Sequence, residues 1–227
     1  MKTLSVVVPM LNEAATIAST LDAIRRGAPD AEIVVVDGGS IDECVATARP
    51  LCDTVIGASR GRALQMNAGA RASHGDVLVF VHADTIVPST FAADIASALS
   101  DPAVVGGRFD VKLDAGALPY RIIGAMISLR SRISRTGTGD QAIFVRRDVF
   151  ERLGEFPELE LCEDLEFSRR MKRAGHVACL RARVTTSARR WSRDGLMRTV
   201  ARMWLIRAMY LMGVPPARLK RMYADTR

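Results

Sequence analysis

The chain has 227 residues, of which 48% are hydrophobic and 25% charged, a composition typical of a soluble globular protein with a sizeable core. Its net charge of +7 is concentrated at the C-terminus, where residues 189–227 hold ten Arg or Lys and two Asp. The absence of any window of about 18 uncharged apolar residues argues against a membrane-spanning helix. The basic tail favours an anionic partner, such as a phosphate or an acidic membrane surface, and we expect no nucleic-acid partner.

The cysteines indicate a reducing compartment. Cys44, Cys52, Cys162 and Cys179 form no CxxC pair and have no accompanying histidine cluster. We therefore expect reduced thiols. The first residues lead directly into an apolar strand, without the apolar core and cleavage site of a signal peptide. These features predict a cytoplasmic protein, with peripheral contact at the inner membrane surface as an extension of that prediction.

The first hundred residues alternate short apolar runs with amphipathic segments, which predicts an α/β fold with a mostly parallel, doubly wound sheet. Valine-rich runs are typical of buried parallel strands, and apolar residues three and four positions apart are typical of helices. In chain order, the pattern predicts strand 4–8, helix 13–26, strand 32–36, helix 42–48, strand 53–57, helix 61–72, strand 77–81 and helix 88–99.

The second half is less regular. A Gly-, Thr- and Ser-rich stretch over 134–140 predicts a flexible loop. The helix ending at Ala174 is closed by Gly175, a typical C-terminal signal. We predict strand 104–112, helix 120–133, strand 141–145, helix 148–153, helix 163–174, strand 177–180, helix 196–212 and one last short helix.

Polar residues follow three of the predicted strands at their carboxyl ends. In an open parallel sheet, these ends meet at one edge, where ligands bind. A carboxylate there, as at Asp37, can accept N–H groups of a nucleobase or ribose hydroxyls; an ordinary strand-to-helix turn is the alternative. The candidate residues are Pro9, Asn12, Glu13, Asp37, Gly38, His82, Ala83 and Asp84.

The segment His82-Ala83-Asp84 is a candidate metal site. If the segment is extended, the two outer side chains face the same way. A carboxylate suits Mg²⁺ or Mn²⁺ bridging a diphosphate, whereas an imidazole tolerates Mn²⁺ better than Mg²⁺. The alternative is a capped strand end with a structural histidine.

Three further segments carry groups that suit phosphate binding or acid–base chemistry. Arg62 opens a predicted helix and is placed for phosphate or base contacts. Glu163-Asp164 begins another helix, where a carboxylate is either a general base or a partner of the helix dipole. Arg189-Arg190-Trp191 offers two guanidiniums for a departing diphosphate, unless they are merely solvated. The turn 57–61 resembles a dinucleotide-binding glycine turn but lacks the third glycine.

Seven motifs occur in a fixed order: VVVPMLNEA at 6–14, VVVDGGSID at 34–42, GRALQMNAGA at 61–70, LVFVHADT at 78–85, GDQAIFVRR at 139–147, CEDLEFSRRMKRAG at 162–175 and SARRW at 187–191. Together they resemble family 2 of the glycosyltransferases, which has the GT-A fold. They are most similar to a small soluble bacterial subgroup found beside radical-SAM genes and described as arsenosugar-type transferases. The resemblance covers residues 3–195.

This resemblance implies inverting transfer of a sugar from a nucleotide diphosphate sugar, with a UDP-sugar as the expected donor and Mn²⁺ or Mg²⁺ as cofactor. It implies a catalytic domain over 1–195, with a nucleotide-sugar half 1–100 and an acceptor half 101–195, followed by a basic helical tail 196–227. The implied roles are base recognition for Asp37, metal and diphosphate binding for Asp84, general base for Asp164 and leaving-group stabilisation for Arg190. The acceptor pocket would be lined by Gly139, Asp140 and Gln141.

The chain departs from the family pattern at three points. His82 replaces the first residue of the usual Asp-x-Asp, which questions metal dependence, and Ser187 replaces the Gln of Gln-x-x-Arg-Trp. Without the transmembrane helices of polysaccharide synthases, a small or lipid-like acceptor is favoured. The alternatives are a nucleotidyltransferase, a non-catalytic nucleotide-sugar binding protein and a membrane-surface binding module. The long helix over 196–212 is expected to pack on the core, to form a homodimer contact or to touch a membrane.

Overall fold

The centre of the molecule is one mixed eight-stranded sheet. The computed structural model describes residues 3–222, except for the side chain of Arg190. The strands are β1 (Leu4–Met10), β2 (Glu32–Asp37), β3 (Thr54–Gly57), β4 (Val77–Phe80), β5 (Thr85–Ile86), β6 (Val104–Leu113), β7 (Ile143–Arg146) and β8 (His176–Thr186). They follow the order β3-β2-β1-β4-β7-β6-β8-β5. β3, β2, β1 and β4 are parallel, and β7 is antiparallel to both of its neighbours.

Helices cover both faces of this sheet and extend beyond it at the C-terminus. They are α1 (Ile17–Gly27), α2 (Cys44–Ala48), α3 (Arg62–Ala72), α4 (Phe91–Ala98), α5 (Leu118–Ser134), α6 (Arg147–Arg152), α7 (Glu163–Ala174), α8 (Arg189–Asp194), α9 (Leu196–Leu211) and α10 (Pro216–Met222). Short 3₁₀ turns lie at Arg49–Leu51 and Gly139–Gln141.

The period of two along each strand sends alternate side chains to opposite faces of the sheet. In β1, Val6 and Val8 pack with α1, α2 and α4, whereas Val7 packs with α3, α6 and α7. All three side chains are fully buried. The sheet is therefore covered on both faces, as expected for strands that read as continuous apolar runs.

Helix α3 approaches the sheet very closely because of a glycine and a buried amide. A Cβ on Gly69 would lie 2.4 Å from Val7 Cγ1 and 2.8 Å from Val36 Cγ2, so only glycine allows this contact. The buried Gln65 donates from Nε2 to the carbonyl oxygens of Met10 and Val36, each at 2.8 Å. The start of α3 is thereby held at the carboxyl ends of β1 and β2, where the candidate ligand residues lie.

The C-terminal helices pack against the second half of the chain. Leu113, Ile123 and Trp191 belong to a third buried cluster, against which Val200 and Met203 of α9 pack. Trp191 is 7% exposed. The prediction that the long C-terminal helix packs on the rest of the chain agrees with this arrangement. Among residues 3–222, no helix combines the length and apolar character needed to cross a membrane.

The predicted α/β class with a mostly parallel first half is confirmed, and α7 has the predicted bounds. The predicted strand 177–180 is wrong in length, because β8 continues to Thr186 alongside β6. The predicted helix at 88–99 begins only at Phe91, and the one at 13–26 begins at Ile17. Neither β5 nor α8 was predicted.

Candidate active site

The loops that follow β1 and β2 are joined by hydrogen bonds. The backbone N–H of Asn12 donates to Ser40 Oγ at 2.9 Å, and the N–H of Ile41 donates to Asn12 Oδ1 at 2.9 Å. Asn12 has a φ of 52°, a left-handed conformation that asparagine tolerates better than most residues. Asp37 accepts from Ser40 Oγ at 2.5 Å and from the Gly39 N–H at 3.1 Å. Asp37 is thus held at the sheet edge, with carboxylate lone pairs left over for a ligand.

Two acidic residues share one guanidinium at the same edge. Arg189 Nη2 lies 2.6 Å from Glu13 Oε2 and 3.3 Å from Asp84 Oδ2. The Glu13 side chain is 2% exposed and also accepts from Thr16 Oγ1 at 2.9 Å. Arg189 therefore supplies positive charge between two carboxylates that lie where a diphosphate or cation is expected.

His82 lies in the wall of the pocket against the 139 loop. It is 8% exposed, and a Cβ on Gly139 would lie 2.4 Å from its Nε2 and 2.6 Å from its Cε1. The N–H of the same glycine donates to Asp164 Oδ2 at 2.7 Å. Gly139 therefore contacts both the His82 imidazole and the predicted general base, Asp164. A side chain at position 139 would collide with the imidazole.

Asp164 and Glu163 occupy different environments in the first turn of α7. Asp164 lines both the pocket that contains His82 and Asp84 and an adjoining pocket between α5 and α9, whereas Glu163 lines only the adjoining one. Burial, followed by the charge of Asp164, raises the pKa of Glu163 to about 7, and Arg62 opposes this rise. Because Asp164 also lines the pocket that contains Asp84, it is the better placed of the two to act on a ligand at the sheet edge.

The predicted acceptor residues separate into two groups. Gly139 and Asp140 line the pocket, and Thr138 Oγ1 donates to Asp140 Oδ1 at 2.5 Å. Burial raises the pKa of Asp140, against the Thr138 hydrogen bond and the charge of Arg130. Gln141 is fully buried and donates to the Phe109 carbonyl at 3.2 Å, so it holds the loop from inside the core.

Other predicted donor residues are distributed around this edge. Arg62 and Trp191 line both pockets. Pro9 lies within β1, and Ala83 is buried in the core. A Cβ on Gly38 would lie 2.9 Å from Gln65 Nε2, so this glycine accommodates the buried amide. The side chain of Arg190 lies outside the described residues.

The predicted metal ligands fit a divalent cation in part. Asp84 offers a hard carboxylate oxygen at the pocket, as Mn²⁺ and Mg²⁺ prefer. The ring of His82 packs against Gly139, which makes it the weaker candidate of the two. Within residues 3–222, no cluster of three His, Cys, Asp or Glu side chains is arranged to hold an ion. A cation here would need further oxygen ligands from a diphosphate.

Two functional candidates are not predicted from the sequence, and a third is predicted only as one of a pair. The sequence offers both Arg189 and Arg190 for a diphosphate and favours Arg190, because a local pattern cannot show which guanidinium turns toward Asp84. Arg130 and Arg207 line the adjoining pocket from α5 and α9. No local pattern marks these two arginines, because the packing of their helices depends on contacts distant in sequence.

Comparison with known proteins identifies the family of the chain. The family model for glycosyl transferase family 2 matches residues 5–154. A PGL/p-HBAD biosynthesis glycosyltransferase of Mycobacterium bovis is 30% identical over 164 residues, which cover 67% of this chain and 62% of that protein. The matched part of the chain thus spans about three-fifths of the length of this curated relative.

Solved structures share the fold. A mannosyltransferase of Pyrobaculum calidifontis, in complex with GDP-Man and Mn²⁺, has a TM-score of 0.67 at 22% identity; the match covers 97% of this chain and 68% of that chain. Glucosyl-3-phosphoglycerate synthase of Mycobacterium tuberculosis, in complex with Mn²⁺, UDP and glucosyl-3-phosphoglycerate, has a TM-score of 0.64 at 22% identity, covering 94% and 81%. Together with the match of the family model over most of the chain, these observations show that it belongs to glycosyl transferase family 2.

Proposed function

We propose that the protein is an inverting glycosyltransferase that moves a sugar from a nucleotide diphosphate sugar, with UDP as the first candidate nucleotide, to the hydroxyl group of a small or lipid-like acceptor. The observation that carries the proposal is the position of Asp164, which lines the pocket at the sheet edge together with Asp84 and Arg189. A candidate base thus faces the groups that suit a diphosphate.

In the proposed reaction, the Asp164 carboxylate takes the proton of the acceptor hydroxyl group while the oxygen of that hydroxyl group bonds to C1 of the sugar. The bond from C1 to the diphosphate breaks, and the nucleoside diphosphate leaves with the electron pair. One displacement of this kind inverts C1. The Gly139 N–H fixes the orientation of the base through its 2.7 Å hydrogen bond to Oδ2.

In this proposal, arginines that line the pocket stabilise the charge on the leaving group. Arg189 lies within hydrogen-bond distance of Glu13 and Asp84, and Arg62 lines the same pocket. Preorganised positive groups of this kind are usually the largest contribution to such catalysis. A bound Mn²⁺ or Mg²⁺, held by Asp84, would supply further Lewis-acid stabilisation of the diphosphate.

Two finer parts of the proposal concern the nucleobase of the donor and the subgroup of the family. Asp37 is proposed to meet the nucleobase, because its carboxylate is fixed at the sheet edge by Ser40. The similarity of the motifs to the arsenosugar-type subgroup supports a small acceptor. The family match favours this transferase over the nucleotidyltransferase, the non-catalytic binding protein and the membrane-surface module.

The experiment is thermal unfolding with UDP, GDP, dTDP, CDP and NADH, each with and without Mn²⁺. A ligand at a hundred times its Kd adds about 2.7 kcal/mol, which raises the midpoint by roughly 5–10 °C for a chain of this size. We expect this rise with one nucleoside diphosphate plus Mn²⁺, and a smaller rise for Asp84→Ala.

Asp148→Ala is the matched control, since it removes an exposed carboxylate that pairs only with Arg152 on the surface of α6 among its described contacts. It should shift with the nucleotide as the wild type does. A protein whose midpoint is unmoved by every diphosphate would contradict the proposed donor site. Equal shifts for the wild type and Asp84→Ala would remove Asp84 from that site.

A further inference from the structure

The pocket that adjoins the proposed donor site is mainly apolar. It lies between α5 and α9, is open to solvent on one side and has a volume of about 150 Å³. An apolar cavity of about this volume accommodates a group the size of benzene. Its apolar wall is formed by Ile123, Met126, Ile127, Val200, Met203 and Trp204, among others.

Three arginines line this mainly apolar pocket, Arg62, Arg130 and Arg207, and the last two come from the helices α5 and α9 that form its walls. Arg207 Nη2 donates to Thr136 Oγ1 at 3.0 Å. The Nε and Nη2 atoms of Arg130 are buried and have no hydrogen-bond partner within the described part of the chain. Arg130 thus lines the pocket with a guanidinium group of which two nitrogens are buried without a hydrogen bond, an arrangement that is costly unless a ligand provides acceptors.

The proximity of Arg130 to Arg207 is the feature of this pocket that suits an anionic ligand. Burial lowers the pKa of Arg130, an effect that the charges of Asp140 and Asp164 oppose. Burial and the charge of Arg130 likewise lower the pKa of Arg207. An anion between the two guanidiniums would relieve their repulsion and satisfy the buried donors.

The position of Asp164 connects this pocket to the chemistry. Asp164, Arg62 and Trp191 line both pockets, so a molecule between α5 and α9 would reach the proposed base. At the opening, the apolar surface continues outward, because Met126 is 49% and Trp204 53% exposed.

Building on the proposed function, we infer that the acceptor is an anionic amphiphile: Arg130 and Arg207 bind its phosphate or carboxylate group, its apolar part lies between α5 and α9, and its hydroxyl group faces Asp164. This assigns the adjoining pocket as the acceptor site and Arg130 as its specificity-determining residue.

The two tryptophans of the chain provide a direct probe, because Trp191 and Trp204 both line this pocket. We would titrate octyl phosphate, octanol and inorganic phosphate below the micellar range, with UDP and Mn²⁺ present, and follow tryptophan fluorescence. Octyl phosphate should bind at least tenfold more tightly than either octanol or phosphate, because charge-assisted hydrogen bonds and apolar burial act together. Each methylene added to the alkyl chain should tighten binding about fourfold until the pocket is filled.

Two variants test the anion-binding part and the apolar part of the site separately. Arg130→Gln should lose at least tenfold in affinity for octyl phosphate and keep its affinity for octanol. Arg198→Gln, on an exposed position of α9, is the matched control and should bind both as the wild type does. Met126→Ser, at the rim, should weaken both alkyl ligands without affecting inorganic phosphate, which keeps the test valid if Arg130→Gln folds poorly.

Each contrary result overturns the inference in a distinct way. If octanol binds as tightly as octyl phosphate, the pocket has no anion-binding site. If inorganic phosphate binds as tightly as octyl phosphate, the apolar wall contributes nothing to binding. If the protein floats with phosphatidylglycerol vesicles but does not respond to octyl phosphate, these residues bind a membrane surface and do not form an acceptor pocket. A response to UDP and Mn²⁺ without any amphiphile binding would reject this inference alone, whereas loss of both responses would reject the proposed function as well.

Discussion

Gly139→Ala tests the contact that links His82 to Asp164. The added methyl would lie 2.4 Å from His82 Nε2, well inside van der Waals contact, and the histidine is only 8% exposed. Overpacking of this kind costs typically 1–3 kcal/mol, so we expect a midpoint lower by about 4–8 °C for a loss of roughly 2 kcal/mol. The loop must shift to relieve the contact, and with it the N–H that holds Asp164 at 2.7 Å. A displacement of about 1 Å costs on the order of a hundredfold in rate, so kcat should fall much more than UDP affinity.

The assays are thermal unfolding, UDP binding and release of UDP from the donor. Gly116→Ala is the matched control, since a Cβ there meets no atom within 4 Å. His82→Ala in the Gly139→Ala background should recover part of the lost stability, because the added methyl then has room. A Gly139→Ala protein with wild-type stability and kcat would refute the reasoning, as would a double variant with no recovery.

The remaining predictions concern four other side chains. Asp164→Asn should abolish turnover while nucleotide affinity, followed by calorimetry, stays nearly unchanged, because the base acts only in the chemical step; retained turnover would move the base elsewhere. The raised pKa of Glu163, about 7 against an ordinary 4.5, means that this group contributes stability below pH 4.5 that is lost as pH rises through 7. The loss approaches about 3 kcal/mol, and Glu163→Gln should flatten the dependence of urea midpoints on pH between 5 and 8; an unchanged slope would contradict this. Gln65→Leu should cost about 2 kcal/mol in urea unfolding, since it removes two buried hydrogen bonds to backbone carbonyls, and an unaltered midpoint would show that they contribute little. Arg189→Gln should weaken UDP binding about tenfold without Mn²⁺ and less with it, because the cation then supplies the charge beside Asp84; equal weakening in both titrations would contradict this role.

Much of the fold could be predicted because its signals are local. The valine-rich runs of β1 and β2 and the helix 163–174, which ends before Gly175, are readable in short windows of sequence. The end of β8 was missed because it alternates basic and small side chains, and its strand conformation depends on pairing with β6 far away in the chain. Such pairing leaves no local pattern.

The positions of the candidate site residues could be predicted from the sequence about as far as the fold could. Parallel strands bring their carboxyl ends to one edge, so the neighbourhood of Glu13 and Asp84 follows from topology. Which arginine of the 187–191 motif reaches these carboxylates does not, since Arg189 is oriented by α8, a helix of six residues without a clear signal. The contact between His82 and Gly139 likewise depends on tertiary packing.

The most direct test of the central claim is proton NMR of the sugar released when water takes the place of the acceptor and hydrolyses UDP-glucose, or the nucleotide sugar selected by thermal unfolding. Inversion by one displacement predicts that an α-linked donor first yields a β-configured sugar, before mutarotation, and that Asp164→Asn yields none. Initial appearance of the α-anomer, or equal release by the Asp164→Asn protein, would contradict an inverting transfer in which Asp164 is the base.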